Sequence, residues 1–368
     1  MTTPALFDPL TVRGLTFRNR IWVPAMCQYT VTACDGVPTD WHLVHLGSLA
    51  RGGAALVIAE ATAIVPEGRI SPHDTGLWNN DQRDAWARIA AFISSQGAIP
   101  GIQLAHAGRK ASIYPDWGHP KSGLGTASPD EGGWQTVAPS ALAFDAPGYA
   151  EPVALSVAEI DALVDAWRDA AIRATEAGFR VLEIHAAHGY LLHQFLSPAS
   201  NLRTDEYGEA LENRARFLVR VVEAIRQAVG ESTLLFVRFS ATDWVPDGFN
   251  EEECAVVADW CLRAGADAYD ISSGGNVTGV KIPMSPGYQV PLAEFVKSHA
   301  HAPVAAVGLI TTPELANAII AEGKADAVLI GREHLRDPHF ALHAAQHLGV
   351  DIDYWPPQYL RAKPKPKT

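Results

Sequence analysis

Short apolar runs alternate with longer amphipathic stretches along most of this chain. The runs are rich in Val, Ile and Ala without regular polar alternation, which is typical of strands buried on both faces of a parallel sheet. Eight runs are therefore predicted as strands, over residues 20–25, 55–61, 99–105, 180–186, 234–240, 266–272, 303–308 and 325–331.

The stretches between these runs have helical periodicity. They are predicted as helices over residues 43–52, 82–97, 156–178, 213–230, 250–266 and 312–325. Ser156 and Glu159 have the spacing of a capping box at the start of the third helix. Eight strands alternating with helices favour a (β/α)8 TIM barrel. An open doubly wound sheet is the alternative, although no GxGxxG motif follows the first strand to indicate dinucleotide binding.

One irregular segment interrupts the alternation after the third strand. Residues from about 112 to 152 are rich in Gly, Pro and Asp and include Trp117 and Trp134. A loop of this length in a compact domain is typically a lid or a binding excursion. The tail at about 362–368 alternates Lys with Pro, which predicts flexibility. Without a repeat or linker, we expect a single domain over residues 1–368.

Composition narrows the class of partner. The 368 residues are 48% hydrophobic with a formal net charge of -12, which argues against nucleic acid and anionic membrane surfaces as partners. The apolar runs are too short to span a membrane, and the N-terminus lacks a secretory pattern. Four cysteines without a CxxC motif suit a reducing cytoplasm and argue against a disulfide framework or an iron–sulfur cluster. A cytoplasmic protein is expected.

Barrel active sites lie at the C-terminal ends of the strands, where several polar residues occur here. Gln103 and Arg238 fall within apolar runs. A buried amide needs hydrogen-bond partners, and a buried guanidinium needs a carboxylate, a phosphate or an anionic cofactor. Arg238 therefore indicates either a ligand contact or an internal ion pair. Cys27 is either a small buried hydrophobe or a reactive thiol.

Two further features lie near the strand ends. Gly308 and Gly331-Arg332 close the seventh and eighth runs, where barrels commonly bind phosphate. His185 and His188 follow the fourth run in "EIHAAHGYLLHQFLSP". They are zinc ligands, a pair of N–H donors to one ligand oxygen, or structural residues, and zinc would need a third protein ligand that Glu183 does not evidently supply.

Several long motifs, in order, resemble the old yellow enzyme family of flavin-dependent ene-reductases, in particular its thermophilic-like bacterial subgroup of xenobiotic reductases and NADPH dehydrogenases. The motifs are "LTFRNRIWVPAMCQY", "HLGSLARGGAALVIAEATAIVPEGRIS", "GIQLAHAGRKA", "APSALAF", "EIHAAHGYLLHQFLSPASNLRTDEYGEALENRARF" and "LIGREHLRDP". The resemblance covers nearly the whole chain. It implies a (β/α)8 barrel that binds FMN at the C-terminal ends of its strands and takes hydride from NADPH or NADH.

The resemblance also implies roles for individual residues. Residues in three regions are expected to contact FMN: the segment after the first strand, positions beside the flavin ring, and positions around the phosphate. They are Pro24, Ala25, Met26, Cys27, Ala61, Gln103, Arg238, Gly308, Gly331 and Arg332. Within this set, Gln103 corresponds to a contact on the pyrimidine side and Arg238 to the arginine near flavin N1 and O2.

On the substrate side, His185 and His188 correspond to the pair that binds the carbonyl or nitro oxygen of an activated alkene. Tyr190 corresponds to the proton donor, and Tyr29 and Lys110 to substrate contacts, whereas His193 is assigned a structural role. Arg361 corresponds to an arginine that reaches the site of a neighbouring protomer, so a homodimer or homotetramer is expected. One branch of xenobiotic reductases has tryptophan where this chain has Val307, so the substrate range of that branch does not transfer.

The predicted function is FMN-dependent reduction of activated alkenes, namely enones, enals, maleimides and nitroalkenes, in two successive hydride transfers. A zinc-dependent barrel hydrolase that uses His185 and His188 is the alternative. A flavin- or ligand-binding module without turnover is a third hypothesis. Dienoyl-CoA reductases are a nearer rival, but the cysteine pattern and the length of this chain do not match theirs.

Overall fold

The computed structural model describes residues 5–364, so residues 365–368 of the predicted tail lie outside the described part. Its strands are β1 Leu10–Val12, β2 Leu15–Phe17, β3 Ile21–Val23, β4 Leu56–Ala63, β5 Ile99–Ala105, β6 Val137–Ala138, β7 Val153–Ala154, β8 Val181–Ala186, β9 Leu234–Ser240, β10 Ala268–Ser272, β11 Val304–Val307 and β12 Ala327–Leu329. Its helices are α1 Asp40–Arg51, α2 Asn80–Ser95, α3 Val157–Glu176, α4 Leu191–Leu196, α5 Leu211–Val229, α6 Glu251–Ala264, α7 Val290–Ala300, α8 Pro313–Ala321, α9 Arg332–Arg336 and α10 Phe340–His347.

Eight strands form a closed parallel barrel in the order β3-β4-β5-β8-β9-β10-β11-β12, and β12 pairs with β3 to close it. Each of the eight predicted runs overlaps one of these strands, and the predicted (β/α)8 TIM barrel is confirmed; β4 extends two residues beyond its predicted end, to Ala63. The capping box at α3 is also present, because the Ser156 side chain accepts from Glu159 N and the Glu159 carboxylate accepts from Ser156 N.

The N-terminal mouth of the barrel is closed by the β1–β2 hairpin, which was not predicted. Phe17 of β2 packs 4.7 Å from the ring of Trp22, and Trp22 stacks 5.6 Å from Phe236. The hairpin turns at Arg13 and Gly14, both with positive φ. Because aromatic side chains fill this end of the barrel, the polar residues at the opposite ends of the strands are left to form a site.

The excursion lies between β5 and α3 and is fastened to the barrel near the C-terminal ends of the strands. Within it, β6 pairs with β7 in parallel. The Arg109 guanidinium donates to the carbonyl of Leu142 in the excursion at 3.3 Å and to the carbonyl of Asn276 at 2.9 Å. Trp117 packs edge-on at 4.8 Å against Tyr29. No helix among residues 5–364 combines the length and hydrophobicity needed to cross a membrane.

Candidate active site

Neighbouring barrel strands bring five polar side chains together. In the parallel register, Gln103 of β5 lies opposite Glu183 of β8, His185 of β8 lies opposite Arg238 of β9, and Arg238 lies opposite Asp270 of β10. All five are buried. Gln103 and Glu183 lie at one level of the sheet register, and His185, Arg238 and Asp270 lie at the level two residues further along the strands. The residues that sequence analysis assigned separately to strands three, four and five therefore form one polar cluster in the barrel.

Within this polar cluster, the charged and polar groups pair with one another. Nε of Arg238 lies 2.8 Å from Oδ2 of Asp270, and Nε2 of Gln103 donates to Oε1 of Glu183 at 2.7 Å. Burial raises the pKa of Glu183, which Asp270 raises further, and burial also raises the pKa of Asp270 itself. The internal ion pair left open for Arg238 is present, and the same side chain also lines a cavity.

That cavity, of about 310 Å³, lies at the C-terminal ends of β9 to β12. It brings together four predicted cofactor residues, namely Arg238, Gly308, Gly331 and Arg332. Sequence analysis missed Arg336, which adds a third guanidinium one helical turn after Arg332 and could have been found by that spacing. It also missed Tyr288 and Gln289, which precede α7 in a segment without a strong pattern.

The segment after β3 lies beside this cavity. Cγ of Pro24 and Sδ of Met26 both come within 3.5 Å of the position that a Cβ would take on Gly331. Ala25 lies between them and packs against the aromatic cluster at the N-terminal end of the barrel. The predicted flavin-ring segment and the predicted phosphate segment are therefore adjacent.

A second cluster adjoins the same segment on its other side. Tyr29 and Ala61 belong to a small apolar cluster against which Cys27 and Tyr190 pack. Tyr29 has a left-handed backbone (φ 52), and its hydroxyl lies 3.3 Å from the carboxylate of Asp116 in the excursion. The structure thus places the predicted flavin and substrate contacts of β3, β4 and β8 together.

The acidity of Cys27 is set by its surroundings. Burial raises the pKa of its thiol well above the usual range, and the nearby carboxyl groups of Asp74 and Glu60 raise it further. Because the thiolate is the nucleophilic form of cysteine, a raised pKa argues against the reactive-thiol interpretation of this residue.

His185, His188 and Tyr190 form a compact group at the end of β8. The ring centroid of His185 lies 5.1 Å from that of His188 and 5.0 Å from that of Tyr190, each edge-on. Burial, followed by the charge of Arg238, lowers the pKa of both imidazoles well below the usual value. Burial raises the pKa of Tyr190 well above 10. The group therefore offers two neutral imidazoles and a protonated phenol at neutral pH.

The hydrogen bonds of His188 determine which of its nitrogens can act. Its Nε2 lies 3.0 Å from Oγ of Ser272, which is also 2.9 Å from the carbonyl of Phe239. Ser272 has a single hydroxyl hydrogen, which goes either to the carbonyl of Phe239 or to Nε2 of His188. In the second arrangement the imidazole carries its hydrogen on Nδ1, from which it can donate to a ligand; in the first, Nε2–H donates to the serine and Nδ1 accepts. On His185, Nδ1 is buried without a partner among the described residues.

Lys110 fastens the turn after β8 to the loop after β10. Its Nζ donates to the carbonyls of His188 at 2.8 Å and Gly275 at 3.0 Å, and lies 5.0 Å from the centre of the Tyr190 ring. Burial, with the charge of Arg109, lowers its pKa to about 8. A predicted substrate contact is therefore also part of the support for His188.

Arg361 is not brought to this group within one chain. It is exposed in a 3₁₀ helix, Pro357–Ala362, and does not line the cavity. For the zinc alternative, no group of three or more His, Cys, Asp and Glu side chains arranged to hold a metal occurs in residues 5–364.

The residues present fit an anionic flavin nucleotide. Three arginines line the cavity and suit a phosphate. Nδ1 of His185 is a buried polar atom without a protein partner, which points to a ligand. Gly308, with φ 126, has a backbone that other residues rarely adopt, and a Cβ there would lie 3.0 Å from Gln289 Nε2.

Comparison with known proteins finds relatives that align with nearly the whole of this chain. The model of the NADH:flavin oxidoreductase / NADH oxidase family matches residues 5–351. An NADPH dehydrogenase of Geobacillus thermodenitrificans is 43% identical over 356 residues, which are 97% of this chain and 98% of the relative.

Solved structures agree with this match. Morphinone reductase in complex with tetrahydroNAD superposes with a TM-score of 0.77 at 27% identity, covering 95% of this chain and 92% of that one. An old yellow enzyme homologue from Zymomonas mobilis has a TM-score of 0.76 at 28% identity, covering 98% of this chain and 100% of that one. The chain therefore belongs to the NADH:flavin oxidoreductase / NADH oxidase family, the old yellow enzyme family, and is an FMN-dependent oxidoreductase that uses NADH or NADPH.

Proposed function

We propose that this enzyme is an ene-reductase that reduces the C=C bond of enones, enals, maleimides and nitroalkenes in two successive half-reactions at one site. The observation that carries the proposal is the group of His185, His188 and Tyr190, with ring centroids 5.0 and 5.1 Å apart at the end of β8. Two N–H donors beside one O–H donor suit an alkene that is conjugated to an oxygen-bearing group.

FMN, when bound, supplies the hydride chemistry that links the nicotinamide to the alkene. The residues proposed to hold it are Pro24, Ala25, Met26, Cys27, Ala61, Gln103, Arg238, Gly308, Gly331 and Arg332. The guanidinium groups of Arg238 and Arg332 provide positive charge toward an anionic cofactor. The Asp270 carboxylate shares the charge of Arg238 at 2.8 Å.

His185 and His188 bind the carbonyl or nitro oxygen of the substrate. Their lowered pKa keeps both rings neutral at neutral pH. Each ring therefore offers the substrate one N–H hydrogen bond and carries no net charge. Donors fixed in a buried site act most strongly where negative charge develops on the substrate oxygen, and they draw electron density from the β-carbon.

Tyr190 is the proton donor to the α-carbon of the substrate. Its raised pKa keeps the phenol protonated in the resting enzyme, and its ring is fixed between His185 and the ammonium group of Lys110. Tyr29 and Lys110 complete the proposed substrate contacts. Val307 lines the cavity from the end of β11, where a bulkier side chain would reduce its volume.

A steady-state panel tests the proposal. Purified holoenzyme is assayed with NADPH and NADH against cyclohexenone, N-methylmaleimide and a nitrostyrene, and the saturated products are identified by gas chromatography. We expect nicotinamide oxidation to match product formation. An FMN-loaded enzyme that oxidises nicotinamide but saturates none of the three alkenes would contradict the proposal and favour a different acceptor.

A further inference from the structure

The turn after β8 contains two consecutive residues with left-handed backbone, His188 (φ 59) and Gly189 (φ 72). For a non-glycine residue this conformation costs roughly 1–2 kcal/mol, so it persists only where the surroundings fix it. A Cβ on Gly189 would lie 2.3 Å from the carbonyl oxygen of Gly275. The turn carries His188 and leads into Tyr190, so its conformation determines where both side chains lie.

Hydrogen bonds from surrounding side chains hold this turn. The N–H of His188 donates to Oγ of Ser240 at 2.9 Å, and its carbonyl accepts from Lys110. The N–H of Gly189 donates to Nδ1 of His193 at 2.9 Å. His193 belongs to α4, one helical turn further along the chain, and is fully buried.

The bond to Gly189 fixes the hydrogen of the His193 ring. Because Nδ1 accepts from that N–H, the ring hydrogen lies on Nε2, which is 3.2 Å from Oδ1 of Asp243. The contact is an ion-pair approach rather than an aligned hydrogen bond, and neither of these two atoms has a hydrogen-bond partner among residues 5–364. The other carboxylate oxygen of Asp243 accepts from Oγ of Ser197 and from the N–H of Phe249. The carboxylate is thereby fixed from two further sides.

We propose that His193 and Asp243 are positioning residues of this enzyme. The Asp243 carboxylate favours the tautomer of His193 that has its hydrogen on Nε2. Nδ1 of His193 is then free to accept from the N–H of Gly189, and this bond fixes the turn. The fixed turn positions His188 and Tyr190 toward the substrate. The inference rests on the proposed ene-reductase function and extends it to two buried residues that lie outside the cavity lining.

Two substitutions separate this role from a general packing role. In Asp243→Asn, the new amide group donates to Nε2 of His193 and moves the ring hydrogen to Nδ1, where it opposes the N–H of Gly189. In His193→Asn, Oδ1 takes the place of Nδ1 and accepts from Gly189 without help from residue 243. Asp243→Asn is therefore expected to lower kcat for cyclohexenone by roughly 10-fold or more, while His193→Asn stays within about threefold of wild type.

The double variant gives the sharpest test. In the His193→Asn background, Asp243→Asn is expected to change kcat by less than twofold, because the acceptor for Gly189 no longer depends on residue 243. A packing role would instead give losses that add. FMN content and Tm are measured for each variant, so that a folding defect is recognised separately.

A second measurement does not depend on which alkene the enzyme reduces. In holoenzyme labelled with 15N-histidine, NMR is expected to report the Nε2–H tautomer for His193 in the wild type and the Nδ1–H tautomer in Asp243→Asn. An unchanged tautomer in Asp243→Asn, or a kcat within twofold of wild type, would overturn the inference alone. A wild-type enzyme that leaves every alkene unreduced would overturn the ene-reductase proposal and this inference with it.

Discussion

The guanidinium of Arg238 lies 2.8 Å from the carboxylate of Asp270 inside the barrel, with both side chains buried. A second buried carboxyl group, that of Glu183, interacts with both charges. Two acidic groups thus face one basic group next to the proposed cofactor site. A buried ion pair of this kind is costly to break, because the remaining charge is left without a partner.

Removal of Arg238 alone should destabilise the protein. In Arg238→Leu, Asp270 remains buried without its partner, and we expect the free energy of unfolding to fall by about 3–5 kcal/mol. Arg238→Leu combined with Asp270→Leu should recover most of this loss, because neither charge of the pair is left buried without its partner. Urea-induced unfolding followed by far-UV circular dichroism measures both. A double variant as unstable as the single one would show that the pair itself does not account for the loss.

Tyr190→Phe should separate proton delivery from binding. The substitution keeps the ring beside His185 and removes only the hydroxyl, so we expect kcat for cyclohexenone to fall by roughly 10²-fold with little change in KM. Steady-state kinetics measures both constants. Tyr149→Phe is the matched control, since Tyr149 contacts the same apolar cluster but does not join the histidine group. Equal effects of the two substitutions would contradict the assignment.

Ser272→Ala should weaken the oxygen-binding pair. The proposed donation from Nδ1 of His188 requires the Ser272 hydroxyl to donate to Nε2 rather than to the carbonyl of Phe239. In that arrangement, removal of the hydroxyl frees the ring to change tautomer and reduces donation from Nδ1. The loss of one neutral hydrogen bond of roughly 0.5–1.5 kcal/mol predicts a fall in kcat/KM of up to about 10-fold. Ser273→Ala provides the control, because Ser273 donates to Gln289 instead. Unchanged kcat/KM in Ser272→Ala would show that His188 does not need this hydroxyl.

The barrel could be predicted from the sequence because its signal is strong and local. Each buried strand is a run of apolar residues, and helix α3 begins at Ser156 with a cap that depends only on neighbouring residues. The hairpin β1–β2 was missed because its strands have three residues each, too few to establish a period. Its turn at Arg13-Gly14 was the available signal.

The site could be predicted residue by residue but not as a network. The resemblance supplied His185, His188 and Arg238, yet their partners lie on other strands. Ser272 is 84 residues from His188 and Asp243 is 50 residues from His193. Only the closure of the barrel brings such pairs together, so a sequence pattern carries no direct sign of which polar residue pairs with which.

Assembly should depend on the C-terminal segment. We expect a homodimer or homotetramer in which Arg361, exposed within one chain, reaches the site of a neighbour. Truncation after Tyr359 should therefore raise KM for the alkene, and sedimentation velocity reports whether the oligomer also dissociates. Truncation after Lys363 keeps Arg361 and serves as the control. If truncation after Tyr359 changes neither assembly nor kinetics, the proposed role of Arg361 is wrong.

Glu183 should make stability fall as pH rises. Its pKa in the folded protein is raised by burial and by Asp270, whereas Arg238 and Gln103 act in the opposite direction without cancelling the shift. An unfolded chain has a Glu pKa of roughly 4.3, so above that value the folded protein binds more protons at this residue than the unfolded chain. By linkage, the free energy of unfolding decreases from about pH 4 up into the neutral range.

Glu183→Gln should reduce this decrease. The amide keeps the shape of the side chain, and its oxygen can still accept from Gln103, but it cannot lose a proton. Asp270, whose pKa is also raised, would account for the slope that remains. Urea-induced unfolding at a series of pH values between 5 and 8 measures the slope. Glu159→Gln is the control, because the pKa of that exposed carboxyl is lowered and its removal should leave the decrease in place. Identical slopes in wild type and Glu183→Gln would mean that Glu183 is already ionised in the folded protein across this range.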